Sequence, residues 1–299
     1  ATVANLSCGY DVLGLAVQSP FDEVIITKDN NINGVIIDDI MGLYEGIPFE
    51  ADKNVVTFPM LKMIEDYPIS YGFRIKIKKG IPIAGGMGSS AASSVAGVFG
   101  LNKMLNLKLS KKKIISYALL GEELATGTGH ADNVSPCLFG GLTLIRLEPF
   151  DIFKIPINID LYASIIKPHI ELKTQDGRNM LPQRVSLKDA VNQWSNIASL
   201  VFGFLKNDVD IIRQSQHDYI IEPIRKQLIP NYDKVKQIAI DSGAILCNIS
   251  GSGPSIFALS QSKEVADLIG KNMQESIGME SDLFISKINQ TGCQYINAI

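Results

Sequence analysis

The sequence is poor in the features that would tie it to metal clusters, nucleic acids or secretion. Its four cysteines (Cys8, Cys137, Cys247 and Cys293) are scattered with no C-x-x-C pair. That excludes a zinc ribbon or a thioredoxin-like motif and predicts reduced thiols in a cytoplasmic protein. No charge predominates: 28 basic and 31 acidic residues leave −3, with the signs interspersed. There is thus no electrostatic case for a nucleic acid or an anionic membrane as partner. Internal repeats and low-complexity tracts are absent, and no signal-peptide pattern stands in the residues present. Asn5, Asn133, Asn248 and Asn289 open N-x-S/T triplets, which without secretion carry no glycan meaning. The chain also opens at Ala1 with no initiator methionine, so a short N-terminal piece, a strand, is expected ahead of it. What is present, 46% hydrophobic and 20% charged residues over 299 positions, suits a globular enzyme of two domains that handles small molecules.

The first half mixes strands and helices. Phe21–Thr27 and Phe73–Lys78 are β-rich, the second alternating apolar and basic residues. Helices are predicted over Asn54–Tyr67, stopped by Pro68, over Ser90–Leu105 and over Ser110–Thr126, with a strand at Gly141–Leu147. Proline and asparagine punctuate Phe150–Ile159, and the domain boundary is placed there, giving units 1–155 and 156–299. In the second half a strand at Leu161–Lys167 precedes a long helix from Ser186 to about Lys206, with Ser186 and Asp189 forming a capping-box-like start. Leu187, Val191, Trp194, Ala198, Val201 and Leu205 follow helical spacing, so Trp194 is assigned to the core. Helix 232–243, strands 244–249 and 255–259, helix 264–275 and strand 283–288 complete an α+β sandwich, an antiparallel sheet with helices on one face.

One stretch stands apart: Gly80–Asn102, GIPIAGGMGSSAASSVAGVFGLN, carries no charged side chain. A membrane span is long enough to fit, but Pro82, Gly85, Gly86 and Gly88 break its front and four serines dilute the rest. Gly86-Met87-Gly88-Ser89-Ser90-Ala91 fits the dinucleotide fingerprint G-x-G-x-x-A. A second helix with lysines follows, however, where a strand ending in an acid belongs. A Walker-A loop fails because no lysine follows the glycines. The physics of a phosphate cradle survives: glycines admit phosphate to the backbone, and a helix N-terminus aims free N–H groups and a positive dipole end at it. A Gly-rich turn with serine caps and no ligand has equal standing on these residues alone.

The wider context breaks that tie. Pro82–Ala92, PIAGGMGSSAA, resembles the phosphate-binding signature P-x-x-x-G-L-G-S-S-A-A of the GHMP kinases, with Met87 in place of leucine. Gly251-Ser252-Gly253-Pro254 resembles the glycine loop of the same superfamily's C-terminal domain. Within that superfamily three stretches resemble the homoserine kinases. The opening ATVANLSCGYDVLG is similar to A-T-S-A-N-L-G-P-G-F-D-x-L-G, with Ser7 and Cys8 replacing Gly-Pro and Tyr10 replacing Phe. GEELATGTGHADNVSP matches E-x-x-x-x-G-x-x-H-x-D-N-x-x-P, and Arg178–Val191 and Asp218–Tyr232 look like C-terminal stretches of the family.

The resemblance covers nearly the whole chain. It implies a two-domain GHMP kinase fold of α+β class: an N-terminal domain like ribosomal protein S5 domain 2 and a C-terminal ferredoxin-like sandwich. It implies ATP and Mg²⁺, a homodimer, and phosphorylation of L-homoserine on its side-chain hydroxyl, a step towards threonine. Asn54 would contact adenine; Pro82, Gly85, Gly86, Met87, Gly88, Ser89, Ser90, Ala91 and Ala92 would hold the phosphates. Ser90, preferred over Ser89, and Glu122 would ligate the metal, sparse protein ligation that suits Mg²⁺. Arg178 and Arg225 would bind the α-carboxylate with their guanidinium forks. Asp11, Asp132 and His130 would face the ammonium, Asn5 and Asn133 the reacting hydroxyl and phosphoryl, and Gly251 would close the site. Asp11 and Asn133 are the catalytic candidates, with use of a general base left open. Another GHMP kinase acting on a different alcohol, or a non-catalytic sensor of the same fold, remains as an alternative.

Overall fold

The computed structural model describes residues 1–42, 44, 46–170, 172 and 174–297. Its first half runs β1 (Thr2–Ala4), β2 (Leu13–Ala16), β3 (Glu23–Asp29), β4 (Gly34–Gly42), α1 (Thr57–Asp66), β5 (Gly72–Lys79), α2 (Ser89–Met104), α3 (Lys111–Thr126), α4 (Ala131–Phe139), β6 (Leu142–Arg146) and β7 (Asp151–Ile155). The second half follows with β8 (Tyr162–Pro168), α5 (Thr174–Asn179), α6 (Leu187–Lys206), α7 (Val209–Gln214), α8 (Glu222–Arg225), α9 (Tyr232–Asp241), β9 (Leu246–Ile249), β10 (Ile256–Ser260), α10 (Lys263–Ile277) and β11 (Ser281–Lys287).

Three sheets organise these elements, in the orders β1-β2-β6-β7, β3-β5-β4 and β11-β8-β10-β9. β4 pairs parallel with β5, the crossover between them carrying α1, while β3 pairs with β5 antiparallel. Alternation along β5 sends Phe73, Ile75 and Ile77 into a core with Val95, Val98 and Leu101 of α2. That burial on one face is what anchors α2, and with it the glycine run that precedes it. The C-terminal sheet is apolar on both faces. Ile165, Phe257 and Leu259 pack towards the N-terminal strands, whereas Ile166, Ile256 and Ala258 pack under α9 and α10. One core thus joins the two halves, with Val3 of β1, Leu15 of β2 and Leu6 of the loop between them meeting Ile165 and Phe257.

Most predicted elements are present; beside the additional elements β1, β2, β4, α4, α5, α7 and α8, three differences stand out. Helix α1 begins at Thr57 rather than Asn54, because the Asn54 carboxamide closes a turn: its Oδ1 accepts from Val56 N at 2.9 Å. Within the punctuated stretch 150–159, Asp151–Ile155 forms an edge strand on β6. Edge strands need few buried residues, so β7 carries little apolar alternation to read. The third difference concerns α6. Ser186 caps it as expected, accepting from Asp189 N at 3.1 Å, but the buried face consists of Gln193, Leu200, Gly203 and Phe204. Trp194 is 55% exposed and Leu187 73%, with Val191 and Leu205 also outside. The helix has two apolar arcs; helical spacing reveals both, and only the surrounding fold decides which is covered.

Candidate active site

A cleft of about 730 Å³ opens between the glycine run and the C-terminal glycine loop. On one side Gly88, at φ 66°, caps α2, whose first turn begins at Ser89. A Cβ at residue 88 would stand 2.1 Å from Thr2 Oγ1 and 2.8 Å from Asn133 Oδ1, so only glycine fits. Gly86, at φ 74°, approaches the second glycine loop as closely: a Cβ there would lie 2.3 Å from Ser250 O. The two loops are laced by Ser250 Oγ donating to Gly86 O at 2.6 Å and Ser255 N donating to Gly85 O at 3.3 Å. The result is a tight backbone turn that presents the N-terminal N–H groups of a sixteen-residue helix to the cleft.

The serines after Gly88 have different surroundings. Ser89 Oγ is taken up: it accepts from Lys79 Nζ at 2.8 Å and donates to Ile81 O at 3.1 Å. Lys79 is held by Asp22 and donates also to Ser93 Oγ at 2.8 Å. Burial pushes this ammonium below its ordinary range, against the Asp22 charge that raises it. Ser90 lines the cleft together with Glu122. Glu122 is 3% exposed; its Oε2 lies 3.3 Å from His130 Nδ1, while its Oε1 is buried without a partner. An orphaned buried carboxylate oxygen and a serine hydroxyl in the wall of one cleft are hard-oxygen donors, and these residues fit Mg²⁺.

Elsewhere in the cleft the side chains are charged and aromatic. Arg178, on α5, reaches Asp11 with Nη2 at 2.8 and 2.9 Å from the two carboxylate oxygens. Arg225, at the end of α8, donates from Nη1 to Gly251 O at 2.7 Å, and its buried Nε has no partner. Both guanidinium groups lie over the Tyr10 ring, at 5.7 and 5.0 Å from its centroid. Asp132, in the first turn of α4, is 3% exposed. Burial first, and then the Asp11 charge, push its carboxyl up to about 7. Its neighbour Asn133 accepts from Thr2 Oγ1 at 2.7 Å, which leaves the amide Nδ2 on the donor side. Asn5 donates to Gly251 O at 2.9 Å, so this carbonyl is shared with Arg225. In this part of the cleft the pairing of Arg178 and Arg225 with Asp11 and Asp132 is what a zwitterionic ligand requires.

The cleft brings together Asn5, Asp11, Asn54, Gly85, Gly86, Gly88, Ser89, Ser90, Glu122, His130, Asp132, Asn133, Arg178, Arg225 and Gly251. Four expected residues lie outside its wall. Met87 is wholly buried in the core shared by the two halves, with Ala92 packed against it; Ala91 is wholly buried in the core between β5 and α2, and Pro82 is buried behind the turn. They shape the turn through packing. Asn54 is in the wall, but its Nδ2 donates to Pro48 O at 2.7 Å, so its amide serves the chain's own turn. His130 stands beside Glu122. Sequence reasoning missed Lys79 and the double contact made by Tyr10. Lys79 follows the basic residues of an alternating, half-buried strand, and no local signal sets it apart; Tyr10 directly precedes Asp11, the only available hint.

Ser7 and Cys8 depart from the Gly-Pro of the resembled signature. The backbone at Ser7 has φ 74°, a conformation glycine adopts freely, and here the serine hydroxyl is tied down by Gln216 O and Asn248 Nδ2.

Residues 54–141 match the family of GHMP kinase N-terminal domains, and 204–277 match that of GHMP kinase C-terminal domains. Homoserine kinase of Chlorobium phaeobacteroides is 40% identical over 99% of this chain and 97% of that protein. The archaeal homoserine kinase of Saccharolobus solfataricus is 39% identical over 86% of this chain and 83% of its own length. In the crystal structure of homoserine kinase from Cytophaga hutchinsonii, 48% identical, the chains superpose with a TM-score of 0.93 over 98% of this chain and 94% of that one. Leishmania major mevalonate kinase, 18% identical with a TM-score of 0.76, shares the fold. The glycine cradle, the charged pocket and this full-length similarity have one explanation: the chain belongs to the homoserine kinase family of the GHMP kinases.

Proposed function

We propose that the protein transfers the γ-phosphoryl group of ATP to the side-chain hydroxyl of L-homoserine, giving O-phospho-L-homoserine and ADP on the route to threonine. The observation that carries this reading is the pairing, in one cleft, of a helix-end phosphate cradle with Arg178, Arg225, Asp11 and Asp132. Arg225 Nε, buried and unpartnered, is a ready donor for an α-carboxylate. Asp11 and Asp132 supply negative charge for the ammonium.

Catalysis then rests on position and charge. The N–H groups of Gly85–Ser90 and the α2 N-terminus hold the phosphates. Asn133 is oriented by Thr2 and spends one Nδ2 proton on a long bond to Asp132 Oδ1 at 3.4 Å, which leaves its second amide proton for the transferring group. Asp11 accepts two hydrogen bonds from Arg178, which suits an orienting group better than a free base. Glu122 and Ser90 would hold Mg²⁺, which when bound neutralises charge on the phosphate oxygens. Ser90 is favoured because Ser89 Oγ is already engaged by Lys79 and Ile81. Residues 1–155 bear the cradle and residues 156–299 the carboxylate-binding arginines.

The protein works as a cytoplasmic homodimer in this reading. No helix among the described residues is long and apolar enough to cross a membrane, and the four thiols are free. For the dimer, the support is the outer arc of α6, with Leu187, Val191, Trp194, Phe202 and Leu205 exposed. These side chains recur at helical spacing and form one continuous apolar stripe, the kind of surface a symmetric partner covers.

The test is ADP release with Mg-ATP against L-homoserine, L-serine, L-threonine, mevalonate and galactose. Strong, selective turnover of homoserine is expected. Turnover of another alcohol alone would overturn the substrate, and silence from protein that binds ATP would favour a sensor of the same fold.

A further inference from the structure

Between Ala4 and Leu13 the chain bends through four non-glycine residues at positive φ: Asn5 (73°), Leu6 (39°), Ser7 (74°) and Asp11 (60°). Asparagine and aspartate tolerate this region; leucine and serine hold it only when their surroundings over-determine it. The same loop delivers Asn5, Tyr10 and Asp11 to the cleft. What holds it lies behind the pocket. Leu6 and Cys8 are fully buried in the shared core. The Ser7 hydroxyl donates to Gln216 O and accepts from Asn248 Nδ2 at 2.8 Å. Asn248 spends its other amide proton on Glu222 Oε2 at 2.7 Å. Glu222 opens α8, the four-residue helix that ends in Arg225. Its second oxygen accepts from Tyr232 OH at 3.0 Å and Lys236 Nζ at 2.6 Å. Alongside, Gln193 of α6 donates to Cys8 O at 2.8 Å and to Asp218 Oδ1 at 2.9 Å. Asp218 in turn accepts the backbone N–H groups of Ile220, Ile221 and Glu222.

We propose that Ser7 is a positioning residue for the amino-acid pocket: through Asn248 and Glu222 it locks the strained loop bearing Asn5, Tyr10 and Asp11 to the helix bearing Arg225. The clasp fixes the distance between the group that meets the substrate carboxylate and the groups that meet its ammonium and hydroxyl. On the open side, among the described residues, the two walls meet through Gly251 O, shared by Asn5 and Arg225, and through the stacking of Arg225 on Tyr10, a ring that Arg178 also covers. Without the clasp behind, these contacts would leave the spacing free to vary. Neither Ser7 nor Asn248 touches the cleft, so each acts through other residues. The phosphate cradle has no part in the network, and the effect therefore falls on one substrate.

The proposal rests on the homoserine reading above, and the test separates the two. Ser7→Gly keeps the backbone conformation available and deletes the hydroxyl; Asn248→Ala deletes the partner and leaves Ser7 in place. Each variant, checked for folding by thermal melting, is expected to raise KM for homoserine about tenfold, the value of one buried hydrogen bond. The kcat and the KM for ATP should stay within about twofold. Calorimetric homoserine binding should weaken by the same factor, and the double variant should be no worse than the weaker single one. Wild-type protein that binds homoserine, with Ser7→Gly binding it equally, overturns the positioning role alone. A rise in both KM values together with a fall in Tm also overturns it, since that marks a merely structural bond. Wild-type protein that binds no homoserine overturns the substrate reading and this one with it.

Discussion

At the proposed phosphate side of the cleft the wall comes from one contiguous run, Gly85–Ser90, at the start of α2. At the amino-acid side it comes from the loop of Asn5 and Asp11, from α4, α5 and α8, and from the loop at Gly251. The first is a local structure that a few glycines and a helix N-terminus can build wherever a strand and helix flank them. The second exists only when segments up to 246 residues apart, such as Asn5 and Gly251, are brought together. Their electrostatics differ accordingly: backbone dipoles at one side, and buried side-chain charges opposing one another at the other. Perturbations should therefore separate by substrate.

The largest expected effect lies where the two sides meet. Glu122→Gln removes the buried carboxylate that lines the cleft with Ser90 and should lower kcat by about 10³. Chelation of divalent cations by excess EDTA should abolish turnover of the unmodified enzyme, measured as ADP release. Arg225→Ala should next raise KM for homoserine about a hundredfold, the cost of a charge-assisted contact, with the KM for ATP unchanged. Equal rises in both constants would erase the distinction between the two sides.

A pH series sharpens it further. Asp132 carries a carboxyl raised from 3.8 to about 7 by burial first and the Asp11 charge second. Its ionised form is the one that attracts an ammonium, so KM for homoserine should fall as pH rises through about 7. Below that point each unit leaves about tenfold less of the ionised form. The linkage sign for stability is opposite to that of an ordinary acid. Between 3.8 and about 7 the folded state holds a proton that the unfolded chain has released, so stability of the unliganded protein declines as pH rises across this window. Asp132→Asn should flatten both the KM and the Tm profiles. The smallest expected effect on catalysis is that of Trp194→Glu: it should halve the mass measured by light scattering and leave kcat and both KM values within about twofold.

The same contrast governs what was legible in advance. The turn and helix at Gly86–Ser90 could be argued from spacing alone, because phosphate cradles and helix ends are consecutive in sequence. Arg178 and Arg225 could not; by composition they are two ordinary arginines, and they entered through resemblance to a family. Trp194 was misassigned because α6 has two apolar arcs and the spacing does not say which one meets the core. Lys79, which engages Ser89, carries no mark among the alternating lysines of β5.

By itself, then, the sequence determined the local conformations: capped helices, alternating strands, and glycine turns. It did so because hydrogen-bond geometry, φ preferences and burial periodicity act over a few residues. Only the tertiary structure decided which apolar arc of α6 is covered, which serine remains open to the cleft, and how Ser7 reaches Glu222 through Asn248. Those are contacts between distant segments, and their energies depend on desolvation and charge pairing that exist only after the core has closed.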